Sequence, residues 1–90
     1  MLAKVEKVAV VAPFILEVQF NDGTGGMHDF RGMIESGGEL LVALRDERFF
    51  GRVTLDYGAP TWPNGFDIAP EWLRREMQAA GELRKLAAAE

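Results

Sequence analysis

Phe14-Ile15-Leu16-Glu17-Val18-Gln19-Phe20 decides the fold. Phe14, Leu16, Val18 and Phe20 share one face of an extended chain, and Ile15, Glu17 and Gln19 share the other. Period two with aromatic and β-branched residues is the pattern of a half-buried strand. Each large side chain that it buries contributes about 1.5–3 kcal/mol. Upstream, Lys4–Val11 places Val8 and Val10 on one face, with Val5 earlier. The step from Val5 to Val8 breaks strict alternation and predicts a bulge or twist near Lys7. Pro13, which has no amide hydrogen, suits the turn between the two strands. Downstream, Asn21-Asp22-Gly23-Thr24-Gly25-Gly26 reads as a hairpin loop, because glycine tolerates positive φ. The chain then returns as a short strand, Met27–Phe30.

Asp29 is positioned to cap a brief helical turn holding Met33 and Ile34, which Ser36-Gly37-Gly38 ends. Leu40, Leu41 and Leu44 match helical spacing, so 39–44 is read as a second helical turn. Residues 45–48 are a polar connection, and 49–56 a strand with Phe49, Val53 and Leu55 on one face. Tyr57–Pro60 turns the chain into a short strand at Thr61-Trp62, which Pro63 ends. Residues 70–89 are read as one helix. Pro70 fits the first helical position, and Glu71 and Arg84/Lys85 complement the dipole at its two ends. Leu73, Met77, Ala80 and Leu83 form the apolar stripe, Glu71 and Arg75 an i,i+4 pair, and Gly81 a weak point in the middle. The expected architecture is α+β: a small antiparallel sheet of hairpin-connected strands, a short helical turn and a C-terminal helix. It is one domain, with 1–69 a mainly β body and 70–90 the helix.

Composition narrows the chemistry. Ninety residues with ten Lys+Arg, fourteen Asp+Glu and a formal charge of −4 make one domain with an acidic excess. That charge argues against a phosphate-binding surface, so nucleic acid is not an expected partner. There is no cysteine, which excludes a disulfide scaffold, a thiolate metal site and a cysteine nucleophile. No apolar run approaches the ~20 residues that span a bilayer. Lys4, Glu6 and Lys7 interrupt the first segment, which does not read as a signal peptide. The expected location is cytoplasmic, with no membrane contact.

His28 is the one histidine. On a strand, its neighbour Asp29 points to the opposite face, which leaves a general base without its orienting acid. Asp22, Asp29 and Glu35 show no metal-ligand spacing around it. Gly23-Thr24-Gly25-Gly26 lacks the Lys-Ser/Thr of a phosphate loop and stands between two aspartates. Ser36, the sole serine, precedes two glycines as turn chemistry. Asp46-Glu47 is a solvated corner. No catalytic, metal or cofactor site is expected, and the chain is read as non-enzymatic.

Trp62-Pro63-Asn64-Gly65-Phe66-Asp67-Ile68-Ala69-Pro70-Glu71 carries two open readings. In the structural one, Trp62 fills the core, Asn64-Gly65 turns the chain, and Asp67 satisfies amides ahead of the helix. In the functional one, Trp62, Asn64, Phe66 and Trp72 form a partner-binding aromatic patch, since tryptophan is enriched at interface hot spots. This stretch resembles the hallmark of a family of small bacterial proteins, domain of unknown function 2442. The opening Val-x-x-Val strand, the strand ending Phe20-x-Asp22-Gly23 and the Phe49/Phe50 segment occur in the same order, so the likeness covers about four-fifths of the chain. The resemblance implies an α+β fold with an antiparallel sheet and no assigned enzyme activity. Its members are often encoded beside another small protein, in pairs that look like toxin–antitoxin modules. Some carry a helix-turn-helix domain after this one, and no DNA-reading domain is carried over to this sequence.

Three functions are carried forward. The first is a non-enzymatic protein-binding module, the antitoxin-like partner of a small protein encoded nearby. The second is a dimeric nucleic-acid-associated regulator, against which the acidic charge weighs. The third is a small enzyme using His28 with Asp29 or Asp22. A homodimer packed through the helix beyond Gly81 is a further expectation.

Overall fold

A computed structural model describes residues 2–86 of the chain. Strand β1 (Val5–Ala12) and strand β2 (Ile15–Phe20) form the first hairpin, and β3 (Thr24–Asp29) returns against β2. The alternation in β2 emerges as expected: Leu16, Val18 and Phe20 are buried. The bulge near Lys7 is present as a register shift between Val5 and Lys7. It lets Val5 pair with Phe20 and Val8 with Val18, so both valines reach the core face despite their odd spacing. Val10, expected on that buried face, pairs with Leu16 but stays exposed, because nothing in the described fold covers that end of the sheet edge. At the tight turn, Phe14 takes φ +64, a conformation that favours glycine. Its ring packs edge-on against Phe50 at 5.4 Å, which offsets the strain.

The return strand is longer than its sequence suggests. Thr24, Gly25 and Gly26, read as loop, belong to β3, with Gly25 opposite Gln19 and Gly26 opposite Val18. Two glycines in a strand mark a close backbone approach. A Cβ at Gly26 would lie 2.1 Å from the Glu82 carbonyl oxygen, and one at Gly25 2.6 Å from that of Val18.

Three short helices cover the sheet: α1 (Arg31–Ser36), α2 (Glu39–Val42), extended by a 3-10 turn (Ala43–Arg45), and α3 (Glu47–Phe50). Helix α3 corrects the expected strand over 49–56. Asp46 caps it, its carboxylate accepting from the Arg48 amide at 2.9 Å. A helical turn sends Phe50 fully inward and leaves Phe49 half-buried against the same core, where a strand would have put them on opposite faces. The remaining strands are correspondingly short: β4 (Thr54–Asp56) and β5 (Ala59–Thr61) make a separate hairpin across Tyr57 and Gly58, both at positive φ as a primed turn requires. This hairpin meets the start of β1, where the Val5 amide donates to the Gly58 carbonyl.

Helix α4 is Pro70–Ala79, half the expected 70–89. Gly81 ends it rather than weakening it. At φ +72 it takes the left-handed position past the cap, the Glu82 amide bonding the Met77 carbonyl and the Gly81 amide that of Gln78. Leu73 and Met77 are buried as expected, whereas Ala80 is exposed. Arg74, not Glu71–Arg75, makes the ion pair, reaching Asp22 at 2.8 Å. The chain then adds a two-residue strand, β6 (Arg84–Lys85), beside Thr24 and Gly25. The sheet order is β1-β2-β3-β6, all antiparallel. The last part of the expected helix, 87–90, lies outside the described residues. The class is α+β, and the helices and the Trp62 loop enclose one core against the buried face of β2. Among the described residues no helix is long and apolar enough to cross a membrane.

Candidate functional site

The stretch from Trp62 to Pro70 is held at both ends and in the middle. Trp62 is 2% exposed, and its indole N–H donates to the Phe50 carbonyl at 2.8 Å. The Trp62 amide donates to the Phe66 carbonyl and the Gly65 amide to the Trp62 carbonyl, both at 2.9 Å. Gly65, at φ +89, supplies the turn that these bonds need. Asn64 does two jobs. Its side-chain oxygen accepts from the Phe66 amide at 3.1 Å, and its NH2 donates to the Leu40 carbonyl at 2.9 Å, tying the loop to α2. Ile68, buried, donates its amide to the Pro60 carbonyl. Asp67 contributes through its backbone bridge to Thr61, and among the described hydrogen bonds its side chain caps nothing at α4.

The four candidate partner-binding residues therefore divide. Trp62 lies inside, in a run of rings from Phe30 through Phe50 to Phe66 with centroids 5.7–6.0 Å apart. Asn64 is exposed, and Phe66 and Trp72 are half-buried. Phe66 forms a ridge between two shallow apolar hollows. One is lined by Met33, Phe66, Asp67, Ile68, Ala69 and Trp72, the other by Gly38, Glu39, Leu40, Leu41 and Phe66. Leu40 is 54% exposed. The ionisable residues lining the two hollows, Glu39 and Asp67, are both acidic. Met33 and Leu40 escaped the sequence reading because both were assigned to helical turns, whose orientation toward the Trp62 loop depends on distant contacts such as the Asn64–Leu40 bond.

The other candidates are used internally. His28 faces neither Asp29 nor Asp22. Its Nδ1 lies 2.7 Å from Glu82 Oε1, and a carboxylate only accepts, so Nδ1 carries the proton. Its ring packs edge-on to Phe30 at 4.7 Å. The pair joins β3 to the turn after α4, a link that the expected 70–89 helix concealed. Asp22 accepts from the Thr24 hydroxyl at 2.6 Å and amide at 3.0 Å, and from Arg74. The Thr24 hydroxyl, then its amide and Arg74, hold the Asp22 carboxyl below its usual value against the effect of burial. The amide and hydroxyl of Thr24 are thus already bound to a carboxylate of the chain itself. Ser36 donates to the Met33 carbonyl at the end of α1. Among the described residues no three His, Asp or Glu gather as a metal site.

Asp29 accepts from the Arg31 amide and its guanidinium. The guanidinium, then the amide, bring the Asp29 carboxyl down to about 2. A carboxylate with a depressed folded pKa stabilises above its unfolded value, and that stabilisation is lost as pH falls toward the folded one. Wild type is expected to exceed Asp29→Asn in denaturation midpoint at neutral pH, and the gap to close between about pH 4 and pH 2. The pair is exposed, so the gap is small.

Fold and surface together define a small α+β protein with an apolar, carboxylate-edged face around Phe66. Comparison with protein-family models, curated proteins and solved structures finds no match to this chain.

Proposed function

We propose that the chain is a non-enzymatic protein-binding module that engages its partner through the Phe66 ridge and the hollows on either side. The observation that carries this reading is the contiguous apolar surface of Met33, Leu40, Phe66 and Trp72, held on a loop fixed by Trp62 and Asn64. Half-buried aromatic side chains on a rigid support lose little entropy on binding, which suits them as anchors. Glu39 and Asp67 beside the hollows, and the chain's net charge of −4, set the partner's chemistry: apolar side chains flanked by Lys or Arg. A small protein encoded alongside, in an antitoxin-like pair, is the partner that the resemblance to domain of unknown function 2442 suggests, and a basic one would complement this surface.

Co-expression with the adjacent gene's product followed by size-exclusion chromatography tests this. One co-eluting peak at micromolar concentration is expected. Phe66→Ser should weaken the complex by about thirtyfold or more, the loss of a central anchor. Phe66 is half-buried, so circular dichroism must first establish that the variant keeps its fold. Separate peaks for the two wild-type proteins would overturn the reading.

A further inference from the structure

We propose that the partner segment seated on the Phe66 ridge is an amphipathic α-helix whose apolar stripe is flanked by Lys or Arg. The proposal rests on the reading of this surface as a protein-binding face, and it names what that face takes. A single aromatic ring stands between two hollows, with Met33 and Trp72 on one side and Leu40 and Leu41 on the other. A helix offers the complement, because its residues i, i+3, i+4 and i+7 enclose a hole that accepts one such side chain. The i and i+7 residues, about 10 Å apart along the helix, then fall on either side of the ring.

The backbone of the face argues against an extended occupant. A bound strand needs unpaired amides and carbonyls to continue a ladder. Here the Phe66 amide donates to Asn64, and the Phe66 carbonyl accepts from the Trp62 amide. The Leu40 carbonyl accepts from Asn64, the Gly38 carbonyl accepts from the Leu41 amide, and the Ile68 amide donates to Pro60. The outer strands of the larger sheet, β1 and β6, line neither hollow, and the Thr61–Asp67 bridge closes β5 toward the loop. An extended segment would bury most of its polar backbone against apolar side chains without partners, whereas a helix arrives with its backbone already bonded. Charge fixes the flanks. Glu39 lines one hollow and Asp67 the other, both are exposed, and among the described residues neither is in an ion pair. Cations on both sides of the apolar stripe would each meet a carboxylate.

Two amidated peptides of equal Leu and Lys content test this by isothermal titration calorimetry against the full chain. One has Leu at helical spacing and is about five turns long, enough to hold a helix. The other alternates Leu and Lys and is extended. The helical peptide should bind saturably in the micromolar range, about tenfold more tightly than the alternating one. Leu40→Ser should weaken it about tenfold, and Glu39→Gln with Asp67→Asn about threefold. All three positions are exposed, and unchanged circular dichroism verifies the fold of each variant. Equal or tighter binding of the alternating peptide, still weakened by Leu40→Ser, would overturn the helix and leave the face standing as a binding surface. An affinity untouched by Glu39→Gln with Asp67→Asn would overturn the basic flanks. Helical-peptide binding indifferent to Leu40→Ser, or no binding, would overturn the whole proposal. The effect of Phe66→Ser on the complex with the adjacent gene's product then shows separately whether the face engages a partner at all.

Discussion

Trp62→Ala is expected to bring the domain to the edge of unfolding at room temperature. The side chain is 2% exposed, packs between Phe50 and Phe66, and holds the Phe50 carbonyl through its indole N–H. Truncating a buried aromatic of this kind costs about 3–5 kcal/mol. Small domains have only about 5–15 kcal/mol in total, with the smallest near the low end. Trp62→Phe separates packing from hydrogen bonding: it keeps most of the ring contact and leaves the Phe50 carbonyl without its donor, at about 1–3 kcal/mol. Urea denaturation followed by circular dichroism ranks the three proteins. A Trp62→Ala midpoint close to wild type would mean that this ring does not organise the core.

Gly26→Ala is the second large effect. The added carbon would sit 2.1 Å from the Glu82 carbonyl oxygen, and that atom belongs to the backbone of the turn that ends α4. A rigid neighbour cannot yield by changing rotamer, so the turn must lift from β3, loosening the His28–Glu82 bond and β6 with it. Overpacking costs about 1–3 kcal/mol, and this site falls at the upper end because backbone must move. Gly32→Ala is the matched control. Gly32 lies in α1 with nothing within 4 Å of the new carbon, so the substitution should stabilise by about 0.4–1 kcal/mol. Opposite signs from two glycine-to-alanine changes would tie the effect to the contact with Glu82.

Where local chemistry decided the outcome, the sequence carried it. The alternation from Phe14 to Phe20 placed the buried strand, the Val5–Val8 spacing placed the bulge, and Asn64-Gly65 placed the loop that carries Phe66. Distant partners were out of reach. Nothing near Gly25-Gly26 says that the end of a helix will lie on them; flexibility was the local reading and close approach the true one. Gly81 admitted two readings, a flaw inside a helix or the residue past its cap, and only the Glu82–Met77 bond and the contact on Gly26 select the second. Phe49-Phe50 beside Val53 and Leu55 fit strand alternation, but Asp46 capped a helical turn that puts both rings on the core. The site was half legible for the same reason. Trp62, Asn64, Phe66 and Trp72 stand out by type, whereas their division into one buried support, one hydrogen-bonding tether and two presented rings depends on α2 and α4 meeting the loop.

The most direct test follows from the two tryptophans. Trp62 is buried and Trp72 half-buried, so Trp62→Phe leaves a single fluorophore beside the proposed contact surface. Titrating that variant, once shown to be folded, with the adjacent gene's product should shift Trp72 emission to shorter wavelength and quench its access to iodide, with saturation at one equivalent. A complex that forms without altering Trp72 emission or iodide access, or no complex at all, would contradict a binding face built around Phe66 and Trp72.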